Sequence, residues 1–184
     1  LKAIVLTLAC VASGVMLAGC SHTPTKPADN TKFQYLLDRH AAWTENKVDT
    51  LPPLPNEQDL IPFDVSNNTP LHFAVDGKSL SVGSDGVVRY TIVVTTPSGA
   101  RNVNYEGIRC DNYEWKLYAG LNADHDGWDR TVANDWTRIE NGNLNAYQAA
   151  LYQDYFCSSK TPTGKAKAIV DNMRMHRTAT SQMQ

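Results

Sequence analysis

The chain has 184 residues, 42% of them apolar and 20% charged, with a formal net charge of −2 at pH 7. That length carries one domain with a real core once polar ends are set aside, and the composition is that of an ordinary soluble globular body. So small a charge gives no electrostatic basis for nucleic acid or an anionic membrane surface as a partner.

At the amino end, Lys2 precedes an apolar run from Ala3 to Leu17 broken only by Thr7, Ser13 and Gly14. The run closes on Leu17-Ala18-Gly19-Cys20 and then turns polar. One positive charge, about 15 apolar residues and small residues ahead of a cut describe a secretory leader, and so short a stretch spans a bilayer poorly. Residues 1–19 are read as a signal peptide. The chain starts on Leu1 and not on Met, so one or a few residues are expected ahead of it. Leu-Ala-Gly-Cys resembles a bacterial lipobox. That resemblance implies diacylglyceryl transfer to the Cys20 thiol, cleavage before Cys20 and acylation of the new amino terminus. Ser21 stands where an Asp would, by the same resemblance, favour the inner membrane. The expected address is the outer membrane, on its periplasmic face.

Residues 20–31 follow as a flexible tether, since the polar, proline-bearing stretch Ser21–Thr31 has no apolar surface to bury. The domain is expected over 32–177 and a disordered tail over 178–184. From Lys32 to Lys47, Phe33, Leu36, Leu37, His40 and Ala41 recur at helical spacing, which predicts a short amphipathic helix. Leu51 to Val65 holds Pro52, Pro53, Pro55 and Pro62 and is expected to wrap the domain in extended form.

Strands come next. Leu71 to Val75 is expected to open the sheet, Asp76-Gly77 to reverse it, and Lys78 to Val82 to form a short second strand. Val88, Tyr90, Ile92 and Val94 alternate with Arg89, Thr91 and Thr95, which is a strand's period of two. Pro97-Ser98-Gly99 supplies the turn into Arg101–Cys110. A bulge at Gly107 would place Val103, Tyr105, Ile108 and Cys110 on one face. Glu114 to Ala119 makes a further strand after an Asp111-Asn112 turn. Turns this short predict an antiparallel meander of about five strands.

Beyond Gly120 the pattern loosens, until Leu144, Tyr147, Leu151 and Tyr155 mark a helix ending at Phe156-Cys157. A last basic helix is expected from Gly164 to His176, with Ala166, Ile169, Val170 and Met173 facing the core. The fold class is therefore α+β: an antiparallel meander packed by two or three helices.

Of four cysteines, Cys10 leaves with the leader and Cys20 is taken by lipid. Two thiols left in an exported domain are expected to pair, as Cys110–Cys157. The alternative is a catalytic thiol, and no nearby histidine offers it a base.

Several stretches resemble the cryptic neisserial protein-like (CNP-like) family of Gram-negative exported lipoproteins. They are Ile61-Pro62-Phe63-Asp64-Val65, Phe73-Ala74-Val75-Asp76, Lys78 to Gly83, Asp85 to Thr91, Pro97 to Ala100, Asn102-Val103, Tyr105 to Cys110, and Leu151-Tyr152 with Asp154 to Cys157. The resemblance runs from about Phe33 to Cys157. It implies an exported protein and supports the cysteine pair, and it supplies no catalytic residue.

The chemistry-bearing patterns are sparse. Asp124-His125-Asp126-Gly127 with Asp129 offers oxygens in a short loop, yet lacks the calcium-loop spacing and a closing Glu; a solvated turn is the plainer reading. His22, His40, His72, His125 and His176 repeat no zinc spacing, and no G-x-S-x-G is present. No metal, cofactor or catalytic residue is therefore assigned. Arg89, Glu106, Arg109, Lys116 and Tyr118 all fall on strands, where a shared face would bind an anionic or carbohydrate ligand. Trp128 and Trp136 are candidates to stack on sugars. The plainer readings are cross-strand charge pairs and core aromatics. The expected function is an accessory or interaction module of the envelope, with an envelope protein or cell-wall glycan as partner. A glycan- or small-ligand-binding module, using Arg89, Glu106, Arg109, Tyr118, Trp128 and Trp136, is the alternative.

Overall fold

A computed structural model describes residues 43–65, 68–140 and 145–179. The leader, Cys20, the tether, most of the expected first helix, Leu144 and residues 180–184 lie outside the described residues.

The sheet is built from β1 (Leu60–Phe63), β2 (His72–Val82), β3 (Val87–Thr95), β4 (Arg101–Arg109) and β5 (Glu114–Leu121). They lie side by side in chain order, every neighbour antiparallel. Two bridges, β6 (Trp128–Asp129) and β7 (Thr137–Arg138), pair with opposite ends of the far edge of β5. The meander is thus the expected one, slightly enlarged. Pro62 sits in the edge strand β1, where its missing N–H costs the ladder least. Gly86 and Gly99 adopt φ of +77° and +85° in the β2–β3 and β3–β4 turns, a backbone state that glycine reaches without Cβ strain.

Two expected irregularities fall elsewhere. Asp76-Gly77 does not reverse the chain, and β2 continues through it to Val82. Asp76 pairs with Thr91 and Ser81 with Arg89, so the surplus residues bulge out of the ladder. The Asp76 carboxylate holds that bulge by accepting the N–H groups of Lys78 and Ser79 at 3.0 and 3.2 Å. The sequence pattern of a turn is there, but its hydrogen bonds serve a kink. Nor is there a bulge at Gly107. The β3–β4 register is unbroken from Val87↔Arg109 to Thr95↔Arg101, and the irregularity lies in β5, between the Tyr105↔Ala119 and Glu106↔Leu117 pairs. Val103 and Tyr105 therefore face one way and Ile108 the other. All three are buried, because both faces of the sheet are covered.

One cover is helical. α1 (Ala146–Ala150) runs into a π-helical turn (Leu151–Phe156), and α2 (Ala166–Arg174) follows a small hairpin of β8 (Cys157–Ser158) and β9 (Thr161–Pro162). At 3.6 residues per turn Phe156 would point well away from Leu151. The wider i→i+5 winding turns it inward, so Leu151, Tyr155 and Phe156 are all buried. Phe156 meets Tyr90 edge-on at 5.0 Å. Ile169, Val170 and Met173 of α2 complete the core with Val75, Val88, Ile92 and Ile108. The Cys110–Cys157 disulfide, with Cα atoms 5.6 Å apart, ties the end of β4 to the end of the π turn. Ala179 is buried and donates its N–H to Asp154 O at 2.6 Å.

The other cover is a strap without helix or strand, Trp43 to Asn56. The first helix was expected to reach Lys47, and its last turn is absent. Pro52, Pro53 and Pro55 lie in neither helix nor strand, and side chains and carbonyls of the strap make the contacts that a backbone ladder would otherwise supply.

Candidate functional site

The inward-outward alternation of β3 and β4 divides the candidate residues between the two faces. Arg89, Gly107 and Arg109 share the strap face with Lys116 of β5, because Arg89 pairs with Gly107 and Gly107 with Lys116. Tyr118 lies there too, with the Arg89 guanidinium 5.5 Å from its ring centre and Lys116 Nζ 5.4 Å from it. Gly107 makes the room: a Cβ on it would come within 2.9 Å of the Tyr118 ring. Trp136 joins edge-on to Tyr118 at 6.5 Å, and Trp128 packs against Tyr105 at 6.3 Å. Arg89, Arg109, Tyr118, Trp128 and Trp136 are thus brought together. Glu106 is not. It pairs with Tyr90 and points into the helical side.

The strap fills the face that the other five form. Glu45 accepts from Lys116 Nζ at 3.0 Å, Tyr118 Oη at 2.8 Å and Trp136 Nε1 at 3.1 Å. Burial would raise its pKa, but these donors outweigh it and hold the carboxyl below the ordinary glutamate range. Trp43 stacks under the Arg109 guanidinium at 3.8 Å and meets Trp136 edge-on at 5.6 Å. The strap's backbone is gripped as well: Arg130 donates to Val48 O and Asp49 O at 3.0 Å, and Trp128 Nε1 to Pro52 O at 2.7 Å. Arg89 donates to Asn46 O at 3.1 Å and, through both terminal nitrogens, to Asp85 at 3.2 and 2.6 Å. Asp85 is held below the usual aspartate range because these bonds and the N–H groups of Asn46 and Val87 overcome its burial. The donors on these strand residues are engaged by the chain's own carboxylates, Glu45 and Asp85.

Glu106 stands in a different setting. It is fully buried and accepts from four uncharged donors: Tyr147 Oη at 2.6 Å, Tyr90 Oη at 2.9 Å, Asn104 Nδ2 at 3.2 Å and Gln148 Nε2 at 3.4 Å. Burial raises its pKa, and the four hydrogen bonds oppose that rise. The Tyr90 and Tyr147 hydroxyls are pushed well up by burial and by the carboxylate they face. Gln148 Oε1 is buried without a hydrogen-bond partner among the described residues.

In front of this cluster lies a cleft of about 590 Å³, lined by Asn102, Asn104, Thr69, Phe73 and Tyr147 among others. That is the size of a small-ligand site, on the order of 300–1,000 Å³. Asn104 and Tyr147 are shared: each faces the cleft and donates to Glu106. Phe73 and Tyr147 form a tilted aromatic wall, with centres 5.7 Å apart. Glu106 thus lies on the helical side with Asn104, Tyr147 and Gln148, apart from the residues with which the sequence groups it, and neither these three nor Glu45 stands out in the sequence by motif or spacing to a partner. A signal existed for part of this. Asn102, Asn104 and Glu106 recur at i, i+2 and i+4 in β4, a polar row on one face of a central strand.

The acidic loop is closed by Asn122, whose Oδ1 accepts from the Asp126 and Gly127 N–H groups and whose Nδ2 donates to Asp126 at 2.8 Å. Among the described residues no three His, Cys, Asp or Glu side chains converge to hold a metal.

No curated protein and no solved structure matches the chain. The CNP1-like family does, over residues 38–174, which takes in the strap, the whole meander, the Glu106 cluster and both bonded cysteines. The chain belongs to the CNP1-like family.

Proposed function

We propose that the protein is a lipid-anchored, non-catalytic binding module of the bacterial envelope, held at the outer membrane through Cys20. Its accessory role is to present the cleft beside β4 to an envelope component, either a cell-wall glycan or another small ligand. The observation that carries the binding half is the cleft backed by Glu106. Its described walls bring amides, two hydroxyls and aromatic rings together. Glu106 itself is one layer behind. Such a site has groups to hold and orient a ligand. The anchoring half is supported by Leu17-Ala18-Gly19-Cys20 and Ser21, and by a disulfide that forms in an oxidising compartment. A protein partner at an apolar face finds less support, since among the described residues Val132 and Met175 are the large apolar side chains that stand exposed.

The anchoring is tested by labelling cells with palmitate and separating their membranes. The wild-type chain should take up label and sediment with the outer membrane, whereas Cys20→Ala should do neither. Labelled, membrane-bound Cys20→Ala would refute it.

A further inference from the structure

The cleft and the carboxylate behind it specify a ligand chemistry, an inference that rests on the binding reading above. The Tyr147 hydroxyl has one hydrogen, and it is committed to Glu106 Oε1 at 2.6 Å. One amide hydrogen of Asn104 is committed to the same oxygen at 3.2 Å. What these two groups keep for a ligand is chiefly lone pairs. Thr69 Oγ1 accepts the Leu71 N–H at 3.3 Å, so its own hydrogen remains to donate. Asn102 adds an amide with both functions. The polar set thus asks for a molecule rich in O–H or N–H groups with a few acceptors. The Phe73–Tyr147 wall asks for a flat apolar face beside them. A buried carboxylate one layer behind, with neutral partners only, disfavours a negative charge in the cleft.

We infer that the cleft between β4 and α1 binds a neutral, hydroxyl- and amide-bearing sugar, and that Glu106 is the positioning residue that fixes its selectivity. By drawing the hydrogens of Asn104 and Tyr147 inward, Glu106 sets the polarity that the ligand meets. It touches no ligand itself. An anionic sugar is disfavoured by the field of Glu106 and by the lack of a cation among the described lining residues. Sequence spacing alone does not reveal this, because Tyr147 and Gln148 come from a helix 41 and 42 positions from Glu106.

The test is an NMR titration of the full chain carrying Cys20→Ala. One probe is N,N′-diacetylchitobiose, and the other is the same disaccharide with a carboxylate in place of a primary alcohol. The neutral sugar should shift signals of Leu71, Phe73, Val94, Asn102 and Ala146 saturably, and the acidic one should bind at least tenfold more weakly. Glu106→Gln keeps the shape but adds an amide donor facing Asn104 and Tyr147, forcing one of them to turn. It should weaken the neutral sugar at least tenfold and erase the preference. Should that variant fail to fold, Tyr147→Phe decides, with a tenfold loss expected for the neutral sugar. Absence of cleft shifts with the neutral sugar overturns the assignment, as does equal binding of the acidic one. Unchanged affinity and preference in a folded Glu106→Gln, or in Tyr147→Phe where Glu106→Gln does not fold, overturns the role of Glu106. Cleft shifts from the acidic sugar alone would leave the binding reading standing and sink the ligand class.

Discussion

Glu45 carries much of the strap's attachment, and its electrostatics give that attachment a pH dependence. A carboxyl whose folded pKa lies below its unfolded one contributes stability that is present above the unfolded value and lost as pH falls through the folded value. Glu45 is such a group, held down by Lys116, Tyr118 and Trp136 against its burial. Glu45→Gln is expected to cost about 1.5 kcal/mol near neutral pH, the scale of hydrogen bonds to a charged group. The deficit should shrink as pH falls below the ordinary carboxylate range, where wild type loses the same advantage. Urea unfolding across pH checks it, and a deficit constant down to strongly acidic pH would count against Glu45 being ionised in the fold. Glu106 has the opposite sign. Its folded pKa is raised by burial, so its contribution falls as pH rises from the unfolded carboxylate value through the folded one. The existence of both carboxylates is plain in the sequence. Their opposite environments are not, because each depends on which distant donors the fold delivers.

At the scale of elements, the sheet ladder and the disulfide do complementary things. The meander joins neighbours in sequence through short turns, so β1 to β5 need little loop closure. The π turn is remote from β4 in sequence, and the Cys110–Cys157 bond fixes it there across a separation of 47 residues. In the chain-entropy description such a loop is worth about 4 kcal/mol, a large part of the roughly 5–15 kcal/mol that holds a domain together. The paired substitution Cys110→Ala/Cys157→Ala is therefore expected to lower unfolding free energy by about 2–5 kcal/mol. Urea titration measures it, and wild type under reductant should approach the same value. Helix, strand and turn positions for these elements were legible because period and punctuation are local. The misreadings have one cause. At Asp76-Gly77, at Gly107 and over Trp43–Lys47, the local pattern fits two outcomes, and contacts with other elements choose between them. Asp76 secures a bulge in place of a reversal, Gly107 yields its space to Tyr118, and Trp43 and Glu45 are worth more against β5 than in a helical turn.

For the whole molecule, the proposed anchoring can be tested apart from folding. The contacts that hold the described fold lie between Trp43 and Ala179, while the proposed lipid site is at Cys20. Cys20→Ala is expected to leave the thermal midpoint of the purified protein within about 2 °C of wild type, since the change removes none of the core contacts of the described fold. Scanning calorimetry of the two would show it, and a large drop would mean that lipid supports the fold itself.

Composition, alternation and cysteine count sufficed for the class of fold, for the strand faces of β3 and for the pairing of Cys110 with Cys157. Those features are set by period, by turn chemistry and by the small number of thiols, all of which act along the chain. Only the tertiary structure decided which polar residues meet. Glu45 closes the face that Arg89, Lys116 and Trp136 make, and Tyr147 and Gln148 reach Glu106 from another layer. The physical reason is that a buried polar group must find partners wherever packing places them, and packing is a property of the assembled chain.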